Sequence, residues 1–271
     1  MSSIKVRDME PSDEYFVSAC SHVNESEEAD ACARRRNKWL KYYYPMGLRV
    51  KVGLLDDNPV GFVYVIPIEI CPWGPLGQDM MILPCLFVVK EAQHKGIGQA
   101  LIAEAEKETK YQKRKALSVV GFYHDFWFMP APFLVKCSFS VVHRKNDMVI
   151  LWKVFDESAH PPKFLKRNYK FKPVLNKVVV DLFWNGFCGT SNGEAQRVRE
   201  VVTEFGDSVV LNEYCADDRD ILVRYQTPRA IFVNGDEIGW GYPAPKKGIR
   251  EAISKALNLW TSTEYERQSG D

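Results

Sequence analysis

This chain has almost no net charge: 36 Lys and Arg against 35 Asp and Glu leave +1 at pH 7, so no electrostatic case exists for a nucleic-acid partner. Long hydrophobic runs are also missing. Apolar stretches stop near ten residues, short of the roughly 20 that a bilayer span needs, and the first residues carry no signal-peptide pattern. No nucleic acid and no membrane are therefore expected as partners. Cysteine is sparse, with seven residues at 20, 32, 71, 85, 137, 188 and 215, odd in number and scattered. That usage fits a reducing compartment rather than a disulfide framework, and the expected location is cytoplasmic. No Cys/His spacing supports a metal site, and no repeat or low-complexity tract occurs. The chain does have an apolar fraction of 46% over 271 residues, enough for real cores and for one large or two ordinary domains.

The stretch from Met80 to Thr109 organises the rest. Its apolar run, Met80 to Val89, reads as one buried strand. The glycine-bearing turn Gln93-His94-Lys95-Gly96-Ile97-Gly98 follows, and then a helical pattern with Ile97, Leu101, Ile102 and Ala105 on one face. Strand, glycine turn and helix start make an anion site, because first-turn N–H groups lack partners inside the helix and carry the positive end of its dipole. Gly96 and Gly98 let a phosphate approach the backbone closely. A structural turn or another nucleotide is the alternative. A dinucleotide fold is disfavoured, since Leu101 stands where a third glycine would be needed.

Upstream, Ile4 to Arg7 suits a short strand, helices are expected from Pro11 and over Glu27 to Tyr43, and strands over Leu48 to Leu55 and Val60 to Ile68 flank a turn at Asp56-Asp57-Asn58-Pro59. Downstream come a strand at Ala116 to Tyr123, the aromatic segment His124 to Leu134, read as core rather than an aromatic cage, and strands at Phe139 to His143 and Met148 to Phe155. The basic run Lys110 to Lys115 reads as a solvated helix end, with contact to a cofactor phosphate as the alternative. Residues 157–176 are polar, basic and proline-marked and read as a linker between a first domain, 1–156, and a second, 177–271. The second domain shows a strand–helix–strand pattern, then a strand at Arg229 to Val233 ending in Asn234-Gly235, then a last helix from Lys247. Its expected form is a small α/β sandwich.

The order of elements in the first domain, with Gln93-His94-Lys95-Gly96-Ile97-Gly98, resembles the GNAT family of acetyl-CoA-dependent N-acetyltransferases, whose pyrophosphate turn is Gln/Arg-x-x-Gly-x-Gly/Ala. The resemblance implies an α/β (α+β) acyl-CoA acyltransferase fold with a mixed, splayed sheet. It implies acetyl-CoA as cosubstrate, bound at Val88, Val89, Gln93, His94, Lys95, Gly96, Ile97, Gly98, Gln99 and Ala100, and no metal. The implied acceptor is an amine of a small molecule or peptide, and the assembly expected, if any, is a homodimer. Lys136-Cys137-Ser138-Phe139 falls where many members have Lys-Leu-Gly-Phe, and Leu134 sits where a tyrosine general acid is often found. The second domain resembles the thioredoxin fold: Phe183 to Ser191 matches the stretch ending in Cys-Gly-Pro-Cys, with Cys188 kept and Ser191 in place of the second cysteine, and Thr227-Pro228 lies where that fold has its cis-proline. The two parts together look like the YoaP-type acetyltransferases.

Acetyl transfer to an amine needs a base for the ammonium and an acid for the departing thiolate. With no tyrosine at 134, Tyr123 is the candidate acid, with Cys137 as substitute. Glu69, late in the neighbouring strand, is the candidate base; a plain surface carboxylate is its alternative. Cys20 and His22 could touch an acceptor, or be a core cysteine and a surface histidine. Cys188, at a helix start that would favour its thiolate, supports an alternative function: a thiol-dependent redox or thiol-conjugate protein whose first domain only binds CoA.

Overall fold

The computed structural model describes residues 3–124, 128–239 and 243–268, with side chains up to residue 259. Residues 125–127 of the aromatic segment thus lie outside the described residues. The chain divides into two compact units, Met1–Leu165 and Lys166–Asp271. Among the described residues no helix is long and apolar enough to cross a membrane.

In the first unit, β1 (Ile4–Asp8) is followed by α1 (Glu14–Ala19) and α2 (Glu27–Tyr43), whose first turn is capped by the Ser26 hydroxyl accepting the Ala29 N–H at 3.1 Å. The strands β2 (Arg49–Leu55) and β3 (Asn58–Pro67) form a hairpin around Asp56 and Asp57, both at positive φ. Next come β4 (Met80–Leu83), β5 (Leu86–Val88), α3 (Ile97–Tyr111), β6 (Ala116–Phe122), α4 (Ala131–Lys136), β7 (Ser140–Lys145) and β8 (Met148–Val154). The sheet runs β1-β2-β3-β4-β6-β8-β7, with β5 paired to β3 alone. It is mixed: β4 and β6 are parallel, and the other pairs are antiparallel. One face of β3 meets α1 and α2, through Phe16 on Phe62 and Arg36 over Tyr64. The other face carries the buried cluster of Val63, Val65, Leu83, Leu101, Ile102, Ala105 and Leu134 beneath α3 and α4.

The single strand expected over Met80 to Val89 is two strands. Ile66 and Pro67 face Ile82 and Met81, whereas Val63 and Gly61 face Leu86 and Val88. One extra residue has therefore entered the strand between Leu83 and Cys85, a bulge at Pro84. Proline has no N–H to continue the ladder to β6, so β4 stays beside β6 as far as Leu83↔Val119 and β5 leaves it. The helix α4 was not anticipated. Pro130 precedes it and Pro132 sits in its first turn, the placement proline favours. Ser138, where a glycine was expected from the resemblance, takes φ 64° just past α4. That left-handed conformation is the one a glycine would adopt there without strain.

The second unit holds β9 (Val178–Trp184), α5 (Gly189–Thr203), β10 (Val209–Cys215), α6 (Arg219–Tyr225), β11 (Ala230–Val233), β12 (Asp236–Glu237) and α7 (Lys246–Gln268). Its sheet runs β10-β9-β11-β12, with β9 and β10 parallel and the others antiparallel. Ala195, Val198 and Val201 of α5 and Ile249 and Ile253 of α7 cover one face with Val180 and Leu182. Glu194, 5% exposed, holds α5 in place: it accepts from Nε and Nη2 of Arg229, each at 2.6 Å, and from the Ala244 N–H at 2.8 Å. The segment read as linker has contacts in both units: Leu76 and Lys163 exchange backbone bonds of 2.9 and 2.8 Å in the first, and Asn168 bonds the Tyr225 carbonyl at 2.9 Å in the second.

Candidate functional site

Pro84 opens a cavity in the first unit. Past Leu83 a wedge opens between β5 and β6, and its mouth is closed by the turn into α3 and by α4. The resulting cavity, about 420 Å³, is lined by Leu86 to Val88, by Ala92 to His94 and Gly96 to Gln99, and by Met129, Pro130, Phe133 and Leu134.

The walls are polar in two places. Along β5, Tyr64 donates to the Cys85 carbonyl at 3.2 Å and Val89 donates to the Val60 carbonyl at 2.8 Å. Peptide groups alternate in direction along a strand, so those of Leu86 and Val88 point away from β3, into the wedge. No strand pairs with that edge among the described residues. At the end of β5 the Gln93 side chain donates to the Val88 carbonyl at 3.1 Å and fixes the chain where it turns. His94 (φ 60°) and Gly96 (φ 89°) then bend the backbone through left-handed conformations, and Gly96 caps α3. The first helical bond runs from the Ala100 N–H to the Gly96 carbonyl at 3.0 Å, so the N–H groups of Ile97, Gly98 and Gln99 have no partner within the helix. A Cβ on Gly98 would stand 3.0 Å from the Phe133 ring, so a side chain there would fill the space above these donors.

The structure brings Val88, Gln93, His94, Gly96, Ile97, Gly98 and Gln99 to this cavity. Ile97 is 1% exposed and its side chain belongs to the core, so it offers only its N–H. Val89, Lys95 and Ala100 do not line the cavity: Val89 gives its N–H to Val60 of β3, Lys95 faces solvent, and Ala100 has made the first helical bond. Sequence reasoning missed the wall contributed by Met129, Pro130, Phe133 and Leu134. The signal was present in Pro130-Ala131-Pro132, a proline-marked helix start.

Neither expected catalytic residue lines the cavity. Glu69, in the turn Ile68–Ile70 after β3, accepts the Asp79 N–H at 2.7 Å and pairs with Arg114 at 3.2 Å. Tyr123 follows β6 directly, donates its N–H to the Asp147 carbonyl at 2.7 Å, and has the Arg144 guanidinium 5.0 Å above its ring. In the basic run, Arg114 and Lys115 pair with Glu69 and Asp79, and Lys110 lies over Phe155. His22 pairs with Glu25. Burial pushes the Cys137 thiol up. Cys188 opens α5, partly exposed, with its N–H held by the Asn185 side-chain oxygen at 2.9 Å. Ser191 is buried, and its hydroxyl accepts the Asn185 N–H at 2.9 Å. No group of three or more His, Cys, Asp or Glu that could hold a metal occurs among the described residues.

No family model matches the chain, and no curated protein matches it. Solved structures align with it over about half its length. A Desulfovibrio desulfuricans chain assigned to the GNAT family of acetyltransferases is 18% identical, with a TM-score of 0.45, covering 56% of this chain and 99% of its own. The PaiA N-acetyltransferase from Thermoplasma acidophilum, solved in complex with coenzyme A, is 17% identical with a TM-score of 0.41 over 56% of this chain and 99% of its own. A ribosomal-protein-alanine N-acetyltransferase from Brucella melitensis is 18% identical with a TM-score of 0.42 over 56% and 99%. None of the three reaches a TM-score of 0.5, so function must be argued from the geometry of the chain.

Proposed function

We propose that the first unit is an acetyl-CoA-dependent N-acetyltransferase of GNAT type, acting on an amine of a small molecule or peptide. One observation carries this reading: a strand edge with outward peptide groups at Leu86 and Val88 runs straight into a helix start with unpartnered N–H groups at Ile97, Gly98 and Gln99. That sequence of donors and acceptors suits an extended, amide-bearing arm ending in a pyrophosphate better than it suits a compact nucleotide. Acetyl-CoA supplies an activated acyl group as a thioester.

The chain's own residues then have separable tasks. Leu86 and Val88 align the arm as an added strand, and the α3 start with Gly96 and Gly98 holds the pyrophosphate. A backbone N–H of this edge meets the oxyanion that develops on the thioester carbonyl. Most of the rate comes from placing a neutral amine beside that carbonyl. For proton transfer Tyr123, which follows β6 on the wedge side, is the acid for the thiolate; Glu69 remains the nominated base, although it lies past the far end of β3, beside the start of β4.

For the second unit we infer a thioredoxin-like fold in the region 177–271, joined through 157–176 to a catalytic domain of 1–156. The sheet order β10-β9-β11-β12, the parallel β9–α5–β10 unit and Thr227-Pro228 just before β11 support it. Ser191 in place of a second cysteine argues against an internal disulfide with Cys188. The partly exposed position of Cys188 at the start of α5 favours a rival reading, a thiol-dependent protein that merely binds CoA.

The test is an acetyl-CoA assay reading free-thiol release against a panel of amines, with CoA binding followed by calorimetry. Amine-dependent thiol release that persists in Cys188→Ser is the expected result. Loss of that release in Cys188→Ser favours the rival, and absence of CoA binding overturns both.

A further inference from the structure

Cys20 ends α1 with φ 60° and ψ −125°. A non-glycine residue held there is strained, and such residues gather at functional sites. The helix end that carries it is seated on the sheet. The Tyr64 hydroxyl donates to the Val17 carbonyl at 2.6 Å, and Phe16 meets Phe62 edge-on with ring centroids 5.4 Å apart. Tyr64 also faces Cys85 across the ladder, through the bond from its N–H to the Cys85 carbonyl. Facing residues in an antiparallel pair put their side chains on one side of the sheet, so Cys85 points toward α1. Arg36 of α2, 4% exposed, lies with its guanidinium 4.7 Å over the Tyr64 ring. A strained cysteine, a second cysteine and a buried cation therefore converge beside the bulge where β4 and β5 part.

The local electrostatics agree. A hydrogen bond from the Cys85 thiol pulls the Cys20 thiol below its ordinary value; burial opposes this, and the charge of Arg36 adds to it. Burial moves other cysteines the opposite way, Cys215 up to about 12. The Cys20 residue is partly exposed although its thiol is buried, and Cys85 is 8% exposed. A thiol made more acidic by a second thiol in hydrogen-bond contact is the arrangement of an attacking and a resolving cysteine.

We propose that Cys20 and Cys85 form a peroxide-reactive dithiol, with Cys20 as the attacking thiolate and Cys85 as the resolving thiol. The Cys20 sulfur attacks one oxygen of hydrogen peroxide. The O–O bond breaks, the other oxygen leaves as hydroxide and takes a solvent proton, and Cys20 becomes the sulfenic acid. The Cys85 sulfur then attacks the Cys20 sulfur. The S–S bond forms, the S–O bond breaks, and the hydroxyl departs as water with the Cys85 proton. Two thiols and one peroxide give one disulfide and two waters: the sulfurs lose two electrons and the peroxide oxygens gain them. The disulfide would tie the end of α1 to the apex of the wedge.

This inference does not rest on the acetyltransferase reading, because its readout needs no turnover. The full-length protein is treated with stoichiometric hydrogen peroxide, alkylated and analysed by intact mass and peptide mapping. The expected product has lost two hydrogens, joins the peptides bearing residues 20 and 85, and reverts with dithiothreitol. Cys85→Ser should stop at a dimedone-trapped sulfenic acid on Cys20, and Cys20→Ser should not form the link. Melting curves of both variants report whether they fold. Should either fail, alkylation of the wild-type protein decides: Cys20 should react about tenfold or more faster than Cys215 near pH 7. A disulfide through any other pair, unchanged oxidation in Cys20→Ser, or equal alkylation rates would overturn the proposal.

Discussion

Glu69 shows how two roles can sit on one carboxylate. It is 38% exposed and its partner Arg114 is 26% exposed, so as a strut the pair contributes at most about 1 kcal/mol. Glu69→Gln keeps an oxygen for the Asp79 N–H and removes only the charge. If Glu69 is the base, this substitution should leave the melting curve nearly unchanged yet remove a limb of the pH–rate profile for acetyl transfer. Tyr123→Phe should likewise slow thiolate departure while leaving CoA binding intact. Unchanged pH profiles in both variants would end these assignments. The sequence could nominate both residues because each stands at the end of an expected strand. It could not show that Glu69 meets a backbone N–H ten residues on and an arginine 45 residues on, because both contacts are made only in the folded chain.

At the scale of elements, Lys51 is the clearest case of a residue that alternation hides. It lies on β2 with its side chain 9% exposed, and its ammonium bonds Asp8 of β1 at 2.7 Å and Glu108 of α3, itself 8% exposed, at 2.6 Å. The Gln112 side chain also donates to Glu108 at 2.8 Å. Removing Lys51 leaves the buried Glu108 carboxylate with only the Gln112 amide and the Arg49 guanidinium at 3.9 Å, a loss of up to roughly 3–5 kcal/mol. Lys51→Ala should lower the urea stability of the first unit by about that amount, and Lys51→Ala with Glu108→Gln should recover part of it. Burial lowers the Lys51 pKa, but the bonds to Asp8 and Glu108 outweigh it, so the net shift is upward. The folded state thus holds this proton more tightly than the unfolded chain. Its stabilisation is complete below the unfolded lysine value of about 10.4, and it fades as the pH climbs through the higher folded value. Melting curves should therefore show a loss above about pH 10 that Lys51→Met lacks. The elements themselves were legible where periodicity and caps were strong, as for α2 and α3. The β4–β5 split was readable from Pro84 inside an apolar run, and α4 from its two prolines. The resulting wedge was implied only by the resemblance, as a splayed sheet, and not by periodicity or spacing, because it depends on β5 keeping β3 as its neighbour while losing β6.

For the whole molecule, the two units have separate cores. The first is built around Val63, Leu101 and Leu117 beneath α3 and α4, and the second around Val180, Val198 and Ile249 between its sheet and α5 and α7. A second satisfied cluster strengthens the latter: Asp181, 3% exposed, accepts the Tyr169 hydroxyl at 2.6 Å, the Asn212 amide at 3.0 Å and the Tyr214 hydroxyl at 3.3 Å. A buried carboxylate with three donors belongs to a core that closes on itself. The backbone bonds of the connecting segment are divided in the same way, Lys163 with Leu76 on one side and Asn168 with Tyr225 on the other. Residues 1–165 and 166–271, expressed separately, should therefore each melt in one cooperative transition. Because the glycine turn, β5 and α4 all lie in the first fragment, it should bind CoA within about twofold of the full chain, a difference near 0.4 kcal/mol. A first fragment that melts cooperatively but does not bind CoA would show that the site needs the second unit. A fragment without a cooperative transition would show that its core is incomplete alone.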